Sequence, residues 1–463
     1  MKLDNIGITH FRCFESLQLT LEPDVTLIVG ANGAGKTAIL DAIAVALFDI
    51  VAANTGRSDQ ARKKQNAALK KTDIFVEPGP GQESEKRKGF VHISAKAVNL
   101  HPTSAFGIFA QIPEELYVEW NNHVIFTPPN SFRYSPSDSE GLSTLNNYMT
   151  SLWERINSSP NSLDPLPAVA YYRADRRLKG MPSMGDIFTA SSDRSSAFEG
   201  ALDAGADYQA MCRWLYLTEN QELRLLKSGG SSSGTALDAV RSALQQLVEN
   251  IVDLGFEGVP PKLTVTLSQK GEPVQRSIEQ LSDGYRNLIG ICLDFARRLA
   301  LANPNSPAPL AEPGILVIDE IELHLHPGWQ QTVIPKLRQI FPDTQIIATT
   351  HSPQVLTTVR KEQIRVIGAD RRIDELPAEL GTYGVESSHA LEQVLGIHAR
   401  PQEGVDSVQD LDRYIQMIEQ NEQDTEEGLA LYQALVFALG KSDPALIRAE
   451  MRVRQLRILR GKS

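Results

Sequence analysis

Residues 27–44, LIVGANGAGKTAILDAIA, decide how the rest of the chain folds. They meet the pattern G-x-x-x-x-G-K-S/T at every fixed position, which are Gly30, Gly35, Lys36 and Thr37. The flanking residues predict a strand before the glycines and a helix after them. Such a loop binds phosphate, because its backbone N–H groups converge on an anion at the positive end of the helix dipole. The lysine then reaches the terminal phosphates, and the threonine hydroxyl completes a magnesium shell.

The composition is that of an ordinary globular protein. The chain has 463 residues, of which 41% are hydrophobic and 22% charged, and this length can bury more than one core. The apolar stretch 38–53 contains Asp41 and Asp49 and is too short to span a bilayer, so it is predicted as the helix after the phosphate loop. The N-terminus lacks an apolar signal core, and the three cysteines have no metal-ligand spacing. We therefore expect a cytoplasmic protein without a membrane segment.

Two local basic patches stand out against the net charge of −11, which argues against a uniformly basic surface. The first, residues 57–88, has nine Lys or Arg against five acids. The second, residues 451–463, has five bases and no acids. Each patch is either a solvated face or a nucleic-acid contact, because charge clustering alone does not distinguish the two.

Residues 280–286, QLSDGYR, form a second motif, which follows a predicted β-hairpin of residues 263–267 and 274–277. The motif leads directly into a predicted helix, so Ser282 and Gly284 stand at a helix N-terminus that can receive anionic oxygen. On this pattern alone, the serine could equally be a simple helix cap.

Residues 314–320, GILVIDE, predict a buried parallel strand that ends in two carboxylates. Phosphoryl transfer needs one group to hold the metal and another to activate water, and Asp319 and Glu320 can divide these tasks. The alternative is that the two acids only cap the next segment, but the phosphate loop upstream favours the chemical interpretation.

Histidines follow both of the last two core strands. Residues 345–349 predict a strand, and His351 lies just past its carboxyl end, where α/β sheets bind ligands. His324 and His326 form a His-x-His pair, but no further ligand is placed to complete a tetrahedral metal site. We therefore favour a role other than metal binding for this pair.

Taken in order, the motifs GANGAGKT, LSDGY, ILVIDE and THSP resemble the Walker A, signature, Walker B and switch-histidine motifs of ABC-type ATPases. The resemblance is to the branch that contains the RecF, SMC and Rad50 proteins and the overcoming-lysogenisation nucleases. Within that branch, DEIELHLHP and TYGVES resemble the ATPase subunit of Septu-type anti-phage systems. The resemblance implies an α/β fold, with an ABC-type ATPase head built as a mixed sheet around the phosphate loop.

The resemblance also divides the chain into segments. An irregular or β-containing region is inserted into the head, followed by a short helical arm, and a helical appendage ends the chain with amphipathic helices near 407–422, 425–440 and 444–460. The expected segments are 1–52 (first part of the head), 53–165 (insertion), 166–196 (strand and arginine-rich connector), 197–254 (helical arm), 255–370 (second part of the head) and 371–463 (C-terminal helical region).

Site roles follow from the resemblance position by position, with ATP and Mg²⁺ as the cofactors. The implied contacts to the nucleotide are Arg12, Asn32, Gly33, Gly35, Lys36 and Thr37, together with Ser282 and Gly284 acting on the nucleotide of a second copy. The implied metal ligands are Thr37 and Asp319, and the implied catalytic residues are Glu320 and His351.

The sequence departs from the usual motifs at three places. Asp283 replaces the first glycine of the usual Leu-Ser-Gly-Gly motif, and Ile321 stands where related sequences often have proline. The Q-loop glutamine has no clear counterpart: Gln111 is one candidate, and the segment 172–176 is the other.

The preferred function is an ATPase that forms an ATP-sandwiched homodimer or higher oligomer, controls a separate HNH-type nuclease subunit in bacterial anti-phage defence, and contacts DNA. After Ile367 there is no Asp-x-Asp cluster of the Toprim kind, and His389 and His398 lack the other parts of an HNH site. The alternative function is a RecF-like clamp for DNA maintenance or repair without an effector nuclease. The motor subunit of a membrane transporter is disfavoured, because the chain has large insertions and no clear Q-loop.

Overall fold

The computed structural model describes residues 1–55, 73–77, 86–87, 90–98, 100, 117–127, 131–134, 141–159, 161–175, 193–203, 208–229, 236–259, 261–401 and 404–460. The chain divides into two compact units, Met1–Ala390 and Leu391–Ser463. Gln111, the last residue of the candidate segment 172–176 and most of the basic patch 57–88 lie outside the described residues.

The strands all belong to the first unit. They are β1 Lys2–Phe11, β2 Phe14–Thr20, β3 Val25–Gly30, β4 Val76–Glu77, β5 Lys86–Arg87, β6 Phe90–Val98, β7 Val118–Thr127, β8 Ser131–Tyr134, β9 Ala168–Tyr172, β10 Ile251–Glu257, β11 Lys262–Gln269, β12 Glu272–Ser277, β13 Gly314–Ile318, β14 Thr344–Thr349, β15 Ile364–Ile367 and β16 Ile373–Asp374. The helices of this unit are α1 Lys36–Thr55, α2 Leu142–Ser158, α3 Tyr208–Lys227, α4 Ala236–Leu247, α5 Asp283–Ala302, α6 Pro327–Gln330, α7 Val333–Ile340, α8 Pro353–Leu356 and α9 Ser387–Gln393, which continues into the second unit.

The central sheet carries the phosphate loop. Its strand order is β16-β15-β3-β14-β13-β9, and all neighbours are parallel except the edge strand β16. Strands β9, β13 and β14 are buried along their whole length, which explains the continuous apolar sequences of β9 and β13. Because parallel strands end at the same edge, this sheet brings together the loop after β3, the carboxylates after β13 and the histidine after β14. The predicted α/β class with a mixed sheet is confirmed.

A second sheet, of order β2-β1-β6-β7-β8, is antiparallel throughout. Strands β6 to β8 come from residues 53–165, so part of the region expected as an irregular insertion extends the sheet that the N-terminal hairpin begins. Helix α2 follows in the same region and was not predicted, although its buried residues recur with helical spacing. Strand β6 pairs with β1, which lies about 80 residues earlier in the chain. Local sequence patterns do not reveal such a long-range pairing or its register.

Helix α1 contacts strands of both sheets, and this explains why it is apolar on most faces. By length and composition, one described helix, residues 36–54, could cross a membrane, but 72% of that window is buried inside the fold. It is therefore packed as a core helix, as predicted for the stretch after the phosphate loop.

A third sheet, β10-β11-β12, is antiparallel and contains the predicted hairpin of residues 263–267 and 274–277. It delivers the chain to α5, the helix of the second motif. Helices α3 and α4, from the segment expected as an arm, both pack against α5. The boundaries assigned to the predicted segments stay predictions.

A fully buried charge cluster fixes α5 against β9. Asp294 accepts hydrogen bonds from Arg297 Nη2 (2.7 Å), Arg298 Nε (3.0 Å) and the Tyr172 hydroxyl (2.8 Å). Arg298 also donates to the carbonyl of Ala197 at 2.7 Å. Burial by itself raises the pKa of Asp294, but Arg298 and Arg297 outweigh it and hold the pKa below its usual value. The cluster therefore contains an ionised carboxylate whose loss leaves two buried cations.

The second unit is a bundle of three helices, α10 Asp406–Gln420, α11 Glu426–Leu439 and α12 Pro444–Arg460, and the three helices predicted for this region are confirmed. Its core is formed by one face of each helix and contains Leu411, Tyr414, Ile418, Leu435, Ala445, Leu446 and Ala449. The expected amphipathic pattern is wrong for α11, because apolar residues also occupy its exposed face.

We predict that Asp294→Ala lowers the free energy of unfolding by about 3–5 kcal/mol, because it leaves Arg297 and Arg298 buried without a counter-charge. Chemical denaturation at neutral pH measures the change. The matched control is Asp370→Ala, which removes an exposed carboxylate 3.7 Å from Arg372 and should have little effect. Equal stability of the two variants would contradict a structural role for the cluster.

Candidate functional site

The phosphate loop connects β3 to α1 and is shaped by its glycines. Gly35 has φ 104°, and a Cβ atom at this position would lie 2.6 Å from the Cys13 sulfur and 2.6 Å from the Phe14 ring. Only glycine satisfies both the backbone conformation and this close packing against the N-terminal hairpin. Asn32 and Gly33, also predicted to contact nucleotide, are exposed at the mouth of the loop.

Lys36 folds back over the loop. Its side-chain amine donates to the carbonyls of Gly30 (2.9 Å) and Ala31 (3.0 Å). Burial lowers the pKa of Lys36, although the carboxylates of Asp319 and Glu320 oppose this effect. The amine is therefore held by two neutral carbonyl oxygens at the point where the sequence predicts phosphate, and an anion would be a stronger partner.

The side chain of Asp319 connects Thr37, next to the phosphate-loop lysine, with Thr349 on strand β14. One carboxylate oxygen accepts a hydrogen bond from the Thr37 hydroxyl at 2.9 Å, and the other accepts one from the Thr349 hydroxyl at 2.6 Å. The backbone N–H of Asp319 donates to the carbonyl of Tyr172 on β9 at 2.8 Å. The two residues predicted as metal ligands are thus in direct contact, and both offer the oxygen donors that Mg²⁺ prefers.

Glu320 follows in an unusual backbone conformation. Its φ is 47°, in the left-handed region that non-glycine residues rarely adopt. Its N–H donates to the Thr349 hydroxyl at 2.7 Å, so this one hydroxyl orients both predicted acids. A residue held in such a conformation next to a phosphate loop fits a positioned general base.

His351 is tied to the same segment through its backbone. Its N–H donates to the Glu322 carboxylate at 2.6 Å, which links the end of β14 to the turn after β13. The second oxygen of Glu322 is buried and makes no hydrogen bond within the described part of the chain. Glu322 therefore positions the loop that carries His351.

The second motif lies at the start of α5. Ser282 is the N-cap residue, yet its exposed side chain makes no capping hydrogen bond, so its hydroxyl is not used to stabilise the helix. Packing within this chain explains why position 284 is glycine, because a Cβ atom there would lie 2.2 Å from the carbonyl oxygen of His324. The motif helix thus packs directly on the turn that follows the carboxylates.

Arg12 lies beside α1 in a network of carboxylates. Its guanidinium pairs with Asp41 of that helix and, at 2.8 Å, with Asp73. Asp41 is buried and also accepts hydrogen bonds from the Tyr171 hydroxyl (2.8 Å) and from Arg173. Burial by itself lowers the pKa of Arg12, but the two carboxylates outweigh it and raise the pKa.

Arg173 directly follows β9, in one of the two places named as Q-loop candidates. Strand β9 pairs with β13 so that Tyr172 stands opposite Ile318, and the next residue of each strand is Arg173 or Asp319. Of the two candidates named for this role, Gln111 lies outside the described residues, whereas 172–175 are described. The guanidinium of Arg173 pairs with Asp41, and a Q-loop role for this segment stays a prediction.

Comparison with known proteins gives the same assignment as the geometry. A family model described as an AAA domain matches residues 5–204, and one described as an AAA ATPase domain matches residues 221–356. The chain therefore contains AAA-type ATPase domains. The two matches contain all four motifs, and they confirm the predicted ATP hydrolysis and nucleotide binding.

Relatives place this ATPase in the expected branch. It is 26% identical to the "Retron Ec83 probable ATPase" of Escherichia coli over 98% of this chain and 86% of that protein. It is 29% identical to the "Septu protein PtuA" of Bacillus thuringiensis over 38% of this chain and 46% of that protein. Among solved structures, an SMC head bound to the C-winged helix domain of ScpA is similar at 16% identity and a TM-score of 0.44, covering 82% of this chain and 99% of that one. The resemblance to ABC-type ATPases with relatives in anti-phage systems is confirmed.

Sequence patterns did not single out three residues that support the site. Thr349 and Glu322 lie within the sequence motifs described above. Their contacts to Asp319 and His351 join residues of different strands, which local sequence patterns do not show. Asp41 was interpreted only as an interruption of an apolar stretch, although an acid on the helix after a phosphate loop is an unusual choice for a buried position. An acid at a helix position expected to be buried could therefore have identified Asp41 as a residue that supports the site.

We predict that Thr349→Val lowers the turnover of ATP about 10- to 100-fold with little change in ATP affinity. Valine keeps the shape of threonine but removes the hydroxyl that holds Asp319 and the N–H of Glu320. Steady-state ATPase kinetics and nucleotide-binding titration measure the two quantities. Thr349→Ser retains the hydroxyl and is the matched control, so a loss of turnover as large as that of the valine variant would contradict this role.

Proposed function

We propose that this chain is the cytoplasmic ATPase subunit of a bacterial anti-phage system, in which a nucleotide-driven homodimer controls a separate HNH-type nuclease. The observation that carries the proposal is the direct contact between Thr37 and Asp319 at 2.9 Å. It joins a complete phosphate loop to a strand-end carboxylate, in a chain whose relatives are named as retron and Septu proteins.

Each side chain has a role in ATP hydrolysis under this proposal. Lys36 exchanges its two carbonyl partners for the terminal phosphates, with the backbone of Asn32, Gly33 and Gly35 around them. Thr37 and Asp319 hold Mg²⁺, which offsets the phosphate charge. Glu320 accepts a proton from the attacking water. Two further contacts to nucleotide oxygens come from Arg12 and His351.

The second half of the site comes from another copy of the chain. Ser282 is exposed and its hydroxyl does not cap α5, which leaves it able to bond a nucleotide on a facing subunit. Gly284 allows α5 to start close to the turn after the carboxylates, so Ser282 lies at the end of a helix that packs directly on this turn. Two heads facing each other would enclose two ATP molecules.

Contact with DNA is part of the proposal. In the second basic patch, Arg452 pairs with Glu419 at 2.9 Å and Arg457 pairs with Asp424 at 2.6 Å. All four side chains are largely exposed, and exposed pairs of this kind are weak. Phosphate groups of DNA could therefore displace the carboxylates and recruit both arginines.

Two variants separate binding from hydrolysis. Lys36→Ala should abolish ATP binding, because it removes the cation that meets the terminal phosphates. Glu320→Gln should retain ATP binding, lower turnover about 100-fold or more, and accumulate the ATP-bound dimer. Binding titration, phosphate release and sedimentation velocity with and without ATP measure these outcomes.

The control for these variants is Glu375→Gln, which changes an exposed acid away from the site and should behave like the parent chain. Unchanged turnover in Glu320→Gln would remove it from the chemistry. A Glu320→Gln chain that binds ATP but stays monomeric would contradict the paired heads while leaving the ATPase assignment in place.

Control of a nuclease is tested by copurification from the native host followed by mass spectrometry. We expect a separate HNH-type nuclease to copurify, and the purified ATPase alone to leave DNA intact in the presence of magnesium. Cleavage by the ATPase alone would contradict the proposal of a separate cutting subunit. A complex that contains no nuclease and gives no protection against phage would favour the RecF-like clamp.

A further inference from the structure

Helix α11 of the C-terminal unit exposes an apolar face. Its sequence, EEGLALYQALVFAL, places Leu435 in the bundle core, with several other side chains partly buried against it. The opposite face carries Leu429, which is 51% exposed, and Phe437, which is 93% exposed. Between and beside them lie the exposed residues Ala430, Gln433, Ala434 and Ala438.

This face needs a partner on physical grounds. A helix that is apolar on all sides is normally buried on all sides, but α10 and α12 cover only one side of α11. A phenylalanine that is almost fully exposed on such an apolar face is the kind of aromatic anchor that dominates protein interfaces. The bulky residues stand near the two ends of the face, and the alanines stand between and opposite them.

We propose that α11 pairs antiparallel with α11 of a second copy of this chain, about a two-fold axis that passes between Gln433 and Ala434. This arrangement places Phe437 of one copy opposite Ala430 of the other, and Leu429 opposite Ala438. Each large side chain thus meets a small one, which is the interlocking that close helix packing requires. The two-fold axis repeats each contact, as in any isologous interface.

The charges at the ends of the helix complement each other in the same arrangement. Glu426 lies in the first turn, and Lys441 follows the last turn just after the Gly440 cap. Antiparallel pairing brings Glu426, at the start of one α11, near Lys441, which follows the end of the other α11. Antiparallel pairing further brings the positive end of each helix dipole next to the negative end of its neighbour. A self-complementary pattern of size and charge favours a second copy over an unrelated helix.

This interface is separate from the proposed pairing of the ATPase heads and does not require nucleotide. With both interfaces in use, two copies can be joined twice, or dimers can be linked into a larger assembly. The test therefore uses the full chain carrying Lys36→Ala, without nucleotide, so that association driven by ATP makes no contribution.

In that background, Phe437→Asp should weaken self-association at least about 30-fold, as for loss of an aromatic hot spot. Sedimentation velocity over a concentration series measures the dissociation constant. Val259→Asp is the matched control, because it changes another fully exposed apolar side chain and should leave association unchanged. In chains with Lys36 intact, ATP binding should be the same with and without Phe437→Asp, which shows that the head is folded.

A charge exchange tests the antiparallel register. Glu426→Lys should weaken association, and Glu426→Lys combined with Lys441→Glu should restore it, because the exchanged charges again face each other. Failure of the double variant to recover would overturn this register. The inference as a whole would be overturned by a Lys36→Ala chain that is monomeric at all concentrations, or by association that is lost with Met451→Asp on α12 but not with Phe437→Asp.

Discussion

The hydrogen bonds that Asp319 accepts from Thr37 and Thr349 are the interaction on which the rest of the site depends. Thr37 follows β3 and the phosphate loop, Thr349 ends β14, and Asp319 follows β13. The three residues meet because β3, β14 and β13 are adjacent and parallel. A strand order that placed β13 far from β3 would separate the phosphate loop from the carboxylates. The order of parallel strands therefore brings hydroxyl and carboxylate oxygens and the Lys36 amine to one edge of the sheet.

Strand β9 extends this arrangement to the outer helices. Successive side chains of a strand point to opposite faces, and the last two residues of β9 are both tyrosines. The hydroxyl of Tyr171 reaches Asp41 on α1, and the hydroxyl of Tyr172 reaches Asp294 on α5. The carbonyl of Tyr172 also accepts from the N–H of Asp319. One short strand thus connects the helix after the phosphate loop, the strand that precedes Asp319 and the helix whose N-cap is Ser282.

The sequence predicted those parts of the fold whose signals are local. Glycine spacing identified the phosphate loop, and a continuous apolar run ending in acids identified β13 and its carboxylates, because backbone conformation and burial impose these patterns on short stretches. The roles assigned to all the site residues stay predictions, since their action depends on a nucleotide and, for Ser282 and Gly284, on a second copy.

Features that depend on distant contacts could not be predicted in this way. Strands β6 to β8 were predicted only as part of an irregular or β-containing insertion, because their partner β1 lies far away in the sequence and short apolar pieces do not reveal register. The hydroxyl of Thr349 bonds to Asp319 and Glu320, which follow a different strand. Nothing in the sequence next to Thr349 indicates these contacts. The exposed face of α11 was missed for a different reason: helical periodicity identifies a helix, but it does not show which apolar residues the rest of the chain leaves uncovered.

The left-handed backbone at Glu320 has a consequence for how the chain can change over time. Left-handed residues other than glycine cost of order 1–3 kcal/mol, so the fold alone would be better served by glycine or asparagine at this position. A lineage that abandoned ATP hydrolysis would gain stability by drifting to either residue. A glutamate at position 320 therefore lowers the thermodynamic stability of the fold, which is the cost expected of a residue that has the chemical role proposed for it.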